Sequence, residues 1–318
     1  MTKARPLRIG ISRCLLGDPV RYDGGHKRNS FLTETLSRHV EWVPVCPEVE
    51  IGLGTPREAM RLVGDAKASR LITIKTGLDH TRAMETFSRR RVRELEAMDL
   101  SGYVFKKDSP SCGMERVRLY NQHGMPRGKG IGLFARAFME HFPQIPVEDE
   151  GRLSDPDVQE NFLEQVSCYH RRQGLLRGSV TRKAMVDFHA KHKYLLLAHS
   201  PEHYHALGRL VANAKRYALT KLASRYSAQF MKAIKVKASV RKHVNVLNHM
   251  AAYFHDRLSP EETNELHSAI NDYHKGLIPL IVPTTLIKHY VRVFGITYLQ
   301  NQVYLNPHHK ELMLRNRV

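Results

Sequence analysis

Three of the four cysteines occupy corresponding places in the first half of the chain, each at or just after a run of residues typical of a β-strand. Cys14 follows an alternating apolar run that begins at Leu7, Cys46 ends the run VEWVPVC, and Cys112 lies on a polar turn after GYVFKK. The carboxyl ends of strands in an open parallel sheet share one edge, where ligands bind. Three cysteines far apart in sequence are therefore expected to meet at one site.

This set of thiols favours an iron-sulfur cluster over a structural zinc site. Zinc sites usually show local CxxC pairs and four ligands, and neither occurs here. Thiolates are the normal ligands of iron-sulfur clusters, and three of them would leave one iron open to a substrate. The alternative is three unrelated loop cysteines. Cys168, in SCYHRR on a predicted helix, is interpreted as a packed thiol.

The elements that position these cysteines alternate between strand and helix. Strands are predicted at Leu7 to Ile11, 40–46, 70–75, 102–107 and 116–120, and helices at 30–39, 79–98 and 132–142. Such alternation predicts an α/β domain with a parallel sheet covered by helices, Rossmann-like in layout.

The second half has helical patterns only, and we expect an all-α domain there. Asp155, Ser200 and Ser259 each precede a proline at the first helical position, and Ser259 with Glu262 forms a capping box pattern. A linker is predicted near IPVEDEGRL, residues 145–153. The domains are accordingly expected at 1–150 and 151–318.

Around the three cysteines, the segments ISRCLLGDPVRYDGG, CPEVEIGLGTPRE and KKDSPSCG resemble the signatures of the thiouracil desulfidase (TudS) family, over about residues 6–150. This resemblance implies a [4Fe-4S] cluster held by Cys14, Cys46 and Cys112, and an enzyme that hydrolyses the C–S bond of a thiolated pyrimidine without net redox chemistry. The second half resembles the YbgA-like domain, through FHAKHKYLLLAHS. The two-domain layout is similar to desulfidases that act on 4-thiouridine in tRNA.

Exchange of sulfur for oxygen requires an activated water, and Glu48 is our candidate for the general base. It lies two residues after Cys46, where the family has its glutamate. Glu50 is a competitor, and the alternative for Glu48 is a loop carboxylate that binds backbone amides.

Ser109 and Ser111 are candidates for substrate contact or proton transfer, with Ser109 preferred; the alternative is a pair of turn serines that cap amides. Asp23, with the two glycines after it, is expected to form a wall of the same crevice. Ser30 is a further candidate for substrate contact, although a helix-capping role fits it equally.

Two other motifs have weaker support. PRGKGIG, residues 126–132, precedes a helix and offers Arg127 and Lys129 to an anion, but it lacks the ending of a phosphate loop and could be a plain glycine turn. His189 and His192 share a helical face and could bind a metal, although packing histidines are the better interpretation.

The formal net charge of +19 is unevenly distributed. Residues 1–150 hold 25 Lys and Arg against 19 Asp and Glu, a balance of +6, and the remainder holds 25 against 12, a balance of +13. The segment 209–242 is dense in Lys and Arg and is interleaved with Tyr217, Tyr226 and Phe230. This pattern predicts binding to a folded RNA, here tRNA. The alternative is a solvated helix face whose aromatic side chains lie in the core.

The protein is expected to be cytoplasmic, since no apolar run is long enough for a signal peptide or a membrane span. Two other functions remain open. A desulfidase of free thiouracil or thiouridine nucleotides would use the same cluster without the helical domain. A non-enzymatic iron-sulfur sensor that binds nucleic acid would also account for the cysteines and the charge.

Overall fold

The chain folds into two compact units, Met1–Phe162 and Leu163–Val318. The structure is a computed structural model and describes residues 6–178, 180–308 and 310–316. The division between the units falls 12 residues after the position 150 expected from sequence. The segment predicted as a linker is part of the first unit, because its residues Val147–Asp149 form a strand of the sheet.

The first unit contains eight strands and three α-helices in its described residues. The strands are β1 Arg8–Ser12, β2 Glu41–Val45, β3 Met60–Val63, β4 Arg70–Thr73, β5 Gly102–Phe105, β6 Val117–Tyr120, β7 Pro126–Gly130 and β8 Val147–Asp149. The helices are α1 Pro47–Glu50, α2 Thr81–Glu96 and α3 Leu133–His141. A longer helix, α4 Pro156–Arg177, begins in the first unit and ends in the second.

The first sheet is parallel throughout, in the order β2-β1-β5-β8. Ile9 and Ile11 on β1 are fully buried, and so are Tyr103 and Phe105 on β5. Helices cover the sheet: Phe134 of α3 lies 6.0 Å from Tyr103 between ring centroids. Strands that are buried on both faces are expected to be almost continuously apolar, as GYVF is. The predicted α/β domain with a helix-covered parallel sheet is confirmed.

A second sheet, of order β4-β3-β6-β7, mixes parallel and antiparallel pairing and was not expected from sequence. The segment 70–75 contributes β4 to this sheet rather than a third strand to the parallel one. PRGKGIG is not a glycine loop, because Pro126–Gly130 forms β7 and pairs with β6. The strand is exposed along most of its length, so neither apolar periodicity nor burial marked it as a strand.

The predicted helix 30–39 is helical but irregular. Phe31–Thr35 forms a π-helical turn, and Leu36–Arg38 continues as a 3-10 helix. The cap is Asn29, whose Oδ1 accepts a hydrogen bond from the Leu32 amide at 3.1 Å. The Ser30 side chain makes no capping hydrogen bond.

The second unit is helical, as expected. After α4 it contains α5 Arg182–His199, α6 Pro201–Ala212, α7 Leu219–Lys235, α8 Val240–Ala251, α9 Pro260–His274, α10 Ile281–Val293 and α11 Thr297–Gln300. The capping box at α9 is present, because the Glu262 amide donates to Ser259 Oγ at 3.2 Å and the Ser259 amide donates to Glu262 Oε2 at 2.8 Å. No helix within the described residues is long and apolar enough to cross a membrane.

His189, His192 and Cys168 of the second unit pack in or against its core. The ring of His192 stacks on Phe188 with centroids 3.9 Å apart, and burial lowers the pKa of His192 to about 3. His189 Nδ1 lies 3.2 Å from the hydroxyl of Tyr226. Cys168 is fully buried, which raises its pKa to about 12. These contacts agree with packing roles for all three residues.

Candidate active site

Cys14, Cys46 and Cys112 lie at one edge of the parallel sheet because they follow three strands that are neighbours in it. Cys14 lies in a 3-10 helix directly after β1, Cys46 caps α1 directly after β2, and Cys112 lies in the loop after β5. Since β1 pairs with β2 on one side and with β5 on the other, the three loops converge. All three cysteines line one cleft of about 370 Å³.

The electrostatics of the cleft show that the three thiols are close enough to affect one another. Burial raises the pKa of Cys14 to about 12, with the charge of Cys46 adding to the shift and Lys106 opposing it. Burial also raises the pKa of Cys46 and of Cys112, and a hydrogen bond with Ser12 opposes the shift of Cys112. Such thiols need a positively charged centre in order to ionise, and iron supplies one. This donor set fits an iron-sulfur cluster.

Glu48 lies on the cleft wall and is held at both of its carboxylate oxygens. Oε1 accepts a hydrogen bond from Ser111 Oγ at 2.9 Å, and Oε2 accepts from Arg57 Nε at 2.8 Å and from Arg57 Nη2. Glu50 is placed differently, because its Oε1 accepts from the Cys46 amide at 2.9 Å and its Oε2 lies 3.4 Å from Arg91 Nε. Of the two glutamates, only Glu48 lines the cleft.

Arg57 is a member of this site that sequence reasoning missed. Its side chain is only 6% exposed, and besides Glu48 it donates to the carbonyl oxygens of Val20, at 3.0 Å, and Gly54, at 2.9 Å. The Arg57 amide donates to the carbonyl of Tyr22 at 2.8 Å. Arg57 therefore connects Glu48 to the wall formed by residues 20–22. It lies within CPEVEIGLGTPRE, but nothing in its spacing indicates these contacts.

The two serines of the Cys112 loop have different roles. Ser109 lines the cleft, and its Oγ accepts from the amides of Ser111, at 3.2 Å, and Cys112, at 3.0 Å. Ser111 is fully buried and donates to Glu48. Gly113 completes the turn, since a Cβ there would lie 2.8 Å from the Ser109 carbonyl oxygen. Ser109 therefore shapes the loop at the cleft surface, while Ser111 orients the carboxylate.

The other predicted contact residues lie outside the cleft lining. Asp23 is 46% exposed and accepts from the Gly25 amide at 3.0 Å, although its neighbours Arg21 and Tyr22 do line the cleft. Ser30 is exposed at the start of the irregular helix. Arg127 and Lys129 lie on β7 of the second sheet, where Arg127 pairs with Asp65 at 3.6 Å.

Comparison with protein families assigns both halves of the chain. Residues 9–150 match the family model described as 2-thiouracil desulfurase, and residues 193–309 match DUF1722, described as a protein of unknown function. The chain joins a 2-thiouracil desulfurase domain to a DUF1722 domain. The expected resemblance and the two-domain layout are confirmed. The desulfurase domain contains all three cleft cysteines and Glu48, and its family suggests an enzyme.

Each individual relative matches only part of the chain. "Uncharacterized protein YbgA" of Escherichia coli (strain K12) is 29% identical over 158 residues, which cover 49% of this chain and 94% of that protein. "Uncharacterized protein YbbK" of Bacillus subtilis (strain 168) is 28% identical over 110 residues, covering 33% and 72%. A solved structure titled [4Fe-4S]-dependent thiouracil desulfidase TudS is 31% identical, covers 46% of this chain and 93% of its own, and has a TM-score of 0.39.

Replacing Arg57 with Met should lower the free energy of unfolding of the desulfurase domain by about 3 kcal/mol, because Glu48 is left nearly buried without its cation. Adding Glu48→Gln should restore part of the loss by removing the charge. Urea denaturation followed by the fluorescence of Trp42, the one tryptophan of the chain, on β2, measures both changes.

Arg90→Met is the matched control, because Arg90 pairs with Glu94 on the exposed face of α2. Arg90→Met should lower the free energy of unfolding by less than about 1 kcal/mol. An equal decrease in the free energy of unfolding for the Arg57 and Arg90 substitutions would contradict the structural role given to Arg57.

Proposed function

We propose that the desulfurase domain holds a [4Fe-4S] cluster through Cys14, Cys46 and Cys112, and that the protein removes sulfur from 4-thiouridine in tRNA. The reaction is a hydrolysis: water and the thiocarbonyl give uridine and hydrosulfide, with no oxidant or reductant consumed. The observation that supports it is the convergence of three cysteines from three adjacent strands on one cleft that also contains Glu48. The family of residues 9–150 supplies the reaction class.

When bound, the cluster supplies a soft Lewis-acidic iron for the departing sulfur. Glu48 takes a proton from the attacking water, and Arg57 and Ser111 hold its carboxylate in a fixed orientation for that transfer. Ser109 Oγ already accepts two amide hydrogen bonds, so its own proton is available to a pyrimidine oxygen or ring nitrogen in the cleft. Glu48 then returns its proton to the sulfur, which leaves as hydrosulfide, while the hydroxyl proton of the tetrahedral intermediate passes to solvent.

Support for an RNA substrate comes from helix α7 in the second unit. Four cationic side chains of this helix are exposed: Lys221, Arg225, Lys232 and Lys235. Their spacings of four, seven and three residues place them on one face of the helix. The helix contains no acidic residue, and no ion pair involves these four side chains in the described parts of the chain. We call them the α7 basic stripe. A row of free cations of this kind suits a phosphate backbone.

The aromatic residues of the same segment do not support base stacking. Tyr226 and Phe230 are buried in the core of the second unit, as the alternative interpretation of this segment held. Arg225 lies over the ring of Tyr217 at 5.3 Å. Contacts of the stripe with RNA are therefore expected to be to phosphates, which recognise shape and charge rather than sequence.

A second candidate function is the desulfuration of free 2-thiouracil or its nucleotides. The description of the matched family favours it, since it names 2-thiouracil. The candidate cleft is also lined by residues of the desulfurase domain alone.

Anaerobic purification, with iron and sulfide analysis and incubation with 4-thiouridine-containing tRNA, tests the main proposal. Loss of the thiouridine absorbance with release of sulfide is expected. Cys14→Ser should abolish both the cluster and the turnover, whereas Cys168→Ser, at a buried thiol in the other unit, should preserve the cluster. If the cluster-loaded protein releases no sulfide from tRNA or from free thiouracil, both desulfidase functions are excluded and the non-enzymatic iron-sulfur sensor remains. Release from free thiouracil alone would favour the second candidate.

Replacing Glu48 with Gln should slow sulfide release by about 10²- to 10⁴-fold, the usual contribution of a general base. Cluster content should be unchanged, because Glu48 is not one of the three thiol ligands. Glu50→Gln is the matched control, since the amide oxygen can still accept from Cys46. Similar losses in the two variants would exclude Glu48 as the specific base.

The double substitution Lys221→Gln and Lys232→Gln should weaken tRNA binding and make it less sensitive to salt, by about 0.9 in the slope of log K against log salt for each phosphate that is no longer neutralised. Turnover of free 4-thiouridine should not change. Lys183→Gln with Lys191→Gln makes the same charge change on the exposed part of α5 and serves as control. An equal loss in the control would assign the effect to net charge and not to the α7 basic stripe.

A further inference from the structure

The second sheet carries a row of cations across three neighbouring strands. Register pairs Leu62 with Leu119, and both are buried, so this side of the sheet faces the core. The residues that precede them, Arg61 on β3 and Arg118 on β6, lie side by side on the opposite face, and Arg118 pairs with Lys129 on β7. We call Arg61, Arg118 and Lys129 the sheet cation row.

This arrangement is unfavourable for folding by itself. Like charges directly opposite one another across strands are destabilising. No ion pair with an acidic residue compensates any of the three in the parts of the chain that the structure describes. Arg61 Nε is also buried there without a hydrogen-bond partner. An anion on this face would remove the repulsion and satisfy these donors.

A groove on the same face leads to the candidate active site. It has a volume of about 310 Å³ and is lined by Arg61, Arg118, Tyr120 and the half-exposed Ile74. Met60, Asp108 and Pro110 line both this groove and the cysteine cleft, so the two are adjacent. Arg61 lies over the ring of Tyr120 at 5.5 Å, which leaves a flat aromatic and guanidinium surface in the groove.

We propose that the sheet cation row binds the phosphates of an RNA strand on the side of the thiolated nucleotide, so that a flanking nucleotide occupies the groove while the thiolated base occupies the cleft. Adjacent strands are about 4.8 Å apart, so three cations span about 10 Å, room for one or two phosphates. Tyr120 offers a ring against which the flanking base can stack. Asp108, at the junction, would repel a phosphate and favour a base or sugar there.

This inference rests on the proposed function and extends it from the helical unit to the desulfurase domain. The positive charge of the row, taken alone, would equally allow an acidic protein to bind there. The position of the groove beside the cleft is what favours RNA, because a strand that delivers its base to the cleft must continue along an adjacent surface. By binding phosphates, the sheet cation row gives the desulfurase domain a higher affinity for a thiolated polynucleotide than for a free thiolated base.

The test compares a ten-nucleotide single-stranded RNA containing one 4-thiouridine with free 4-thiouridine, using the full-length cluster-loaded protein. Arg118→Gln with Lys129→Gln should raise the KM for the oligonucleotide about tenfold or more and leave kcat and the turnover of free 4-thiouridine unchanged. The salt slope of oligonucleotide binding should fall by about 0.7 for each phosphate that the variant no longer neutralises. Arg82→Gln with Arg89→Gln, an equal charge change on the exposed face of α2, should have little effect.

Tyr120 gives an independent test of the groove. Tyr120→Leu should weaken oligonucleotide binding by about fivefold or more, since a stacked base contributes roughly 1 to 3 kcal/mol. Tyr120→Phe retains the ring and should bind as the native protein does. Equal weakening by both substitutions would exclude stacking on this ring.

An unchanged KM for the oligonucleotide in the cation variant, or an equal loss on free 4-thiouridine, would overturn the proposal. A second result would also overturn it: polyglutamate that binds the native protein as tightly as RNA does, with binding that is lost when Arg118 and Lys129 are replaced. Fluorescence anisotropy with the unthiolated oligonucleotide measures binding without turnover. If the native protein releases no sulfide, the proposed function fails, and the anisotropy measurement still decides whether the row binds RNA.

Discussion

The parallel pairing of β1 with β2 on one side and with β5 on the other is the constraint on which the rest of the first unit depends. Each of these strands ends at a loop that carries one cysteine, and a parallel sheet brings consecutive carboxyl ends to the same edge. The fully buried residues of β1 and β5 keep that edge rigid. A cluster held in this way has its ligands placed by the sheet and not by a single flexible loop.

The second constraint is the fixed carboxylate beside the cysteines. Glu48 follows Cys46 on a single helical turn, but its orientation is set from elsewhere, by Arg57 and by Ser111 of the Cys112 loop. The site thus joins residues from two of the three cysteine loops and from the wall at residues 20–22. A base whose position depends on several elements is preorganised, which is the arrangement that catalysis in a partly buried site requires.

Charge is divided between the two units in a way that composition alone does not show. The second unit carries the α7 basic stripe, which has no acidic residue on its helix. The desulfurase domain has a smaller excess of charge, but three of its cations lie in one row beside the cleft. In the proposed function the stripe provides general attraction for RNA, and the row acts on the nucleotides close to the reacting base.

The sequence by itself determined the α/β and helical halves and the three cysteines at strand ends, because apolar periodicity and local motifs are encoded over a few residues. The preference for Glu48 over Glu50 came from the resemblance to the desulfidase family. The sequence did not reveal the second sheet, because β3 has only four residues and the glycine-containing β7 is exposed. Nor did it show Arg57 as the partner of Glu48, Ser111 as a buried donor, or Arg61 beside Arg118. The contacts of Ser111 and of Arg118 join residues that are distant in the chain, and strand order and register decide which of them meet. The contact of Arg57 with Glu48 depends on how the chain folds back over nine residues after α1.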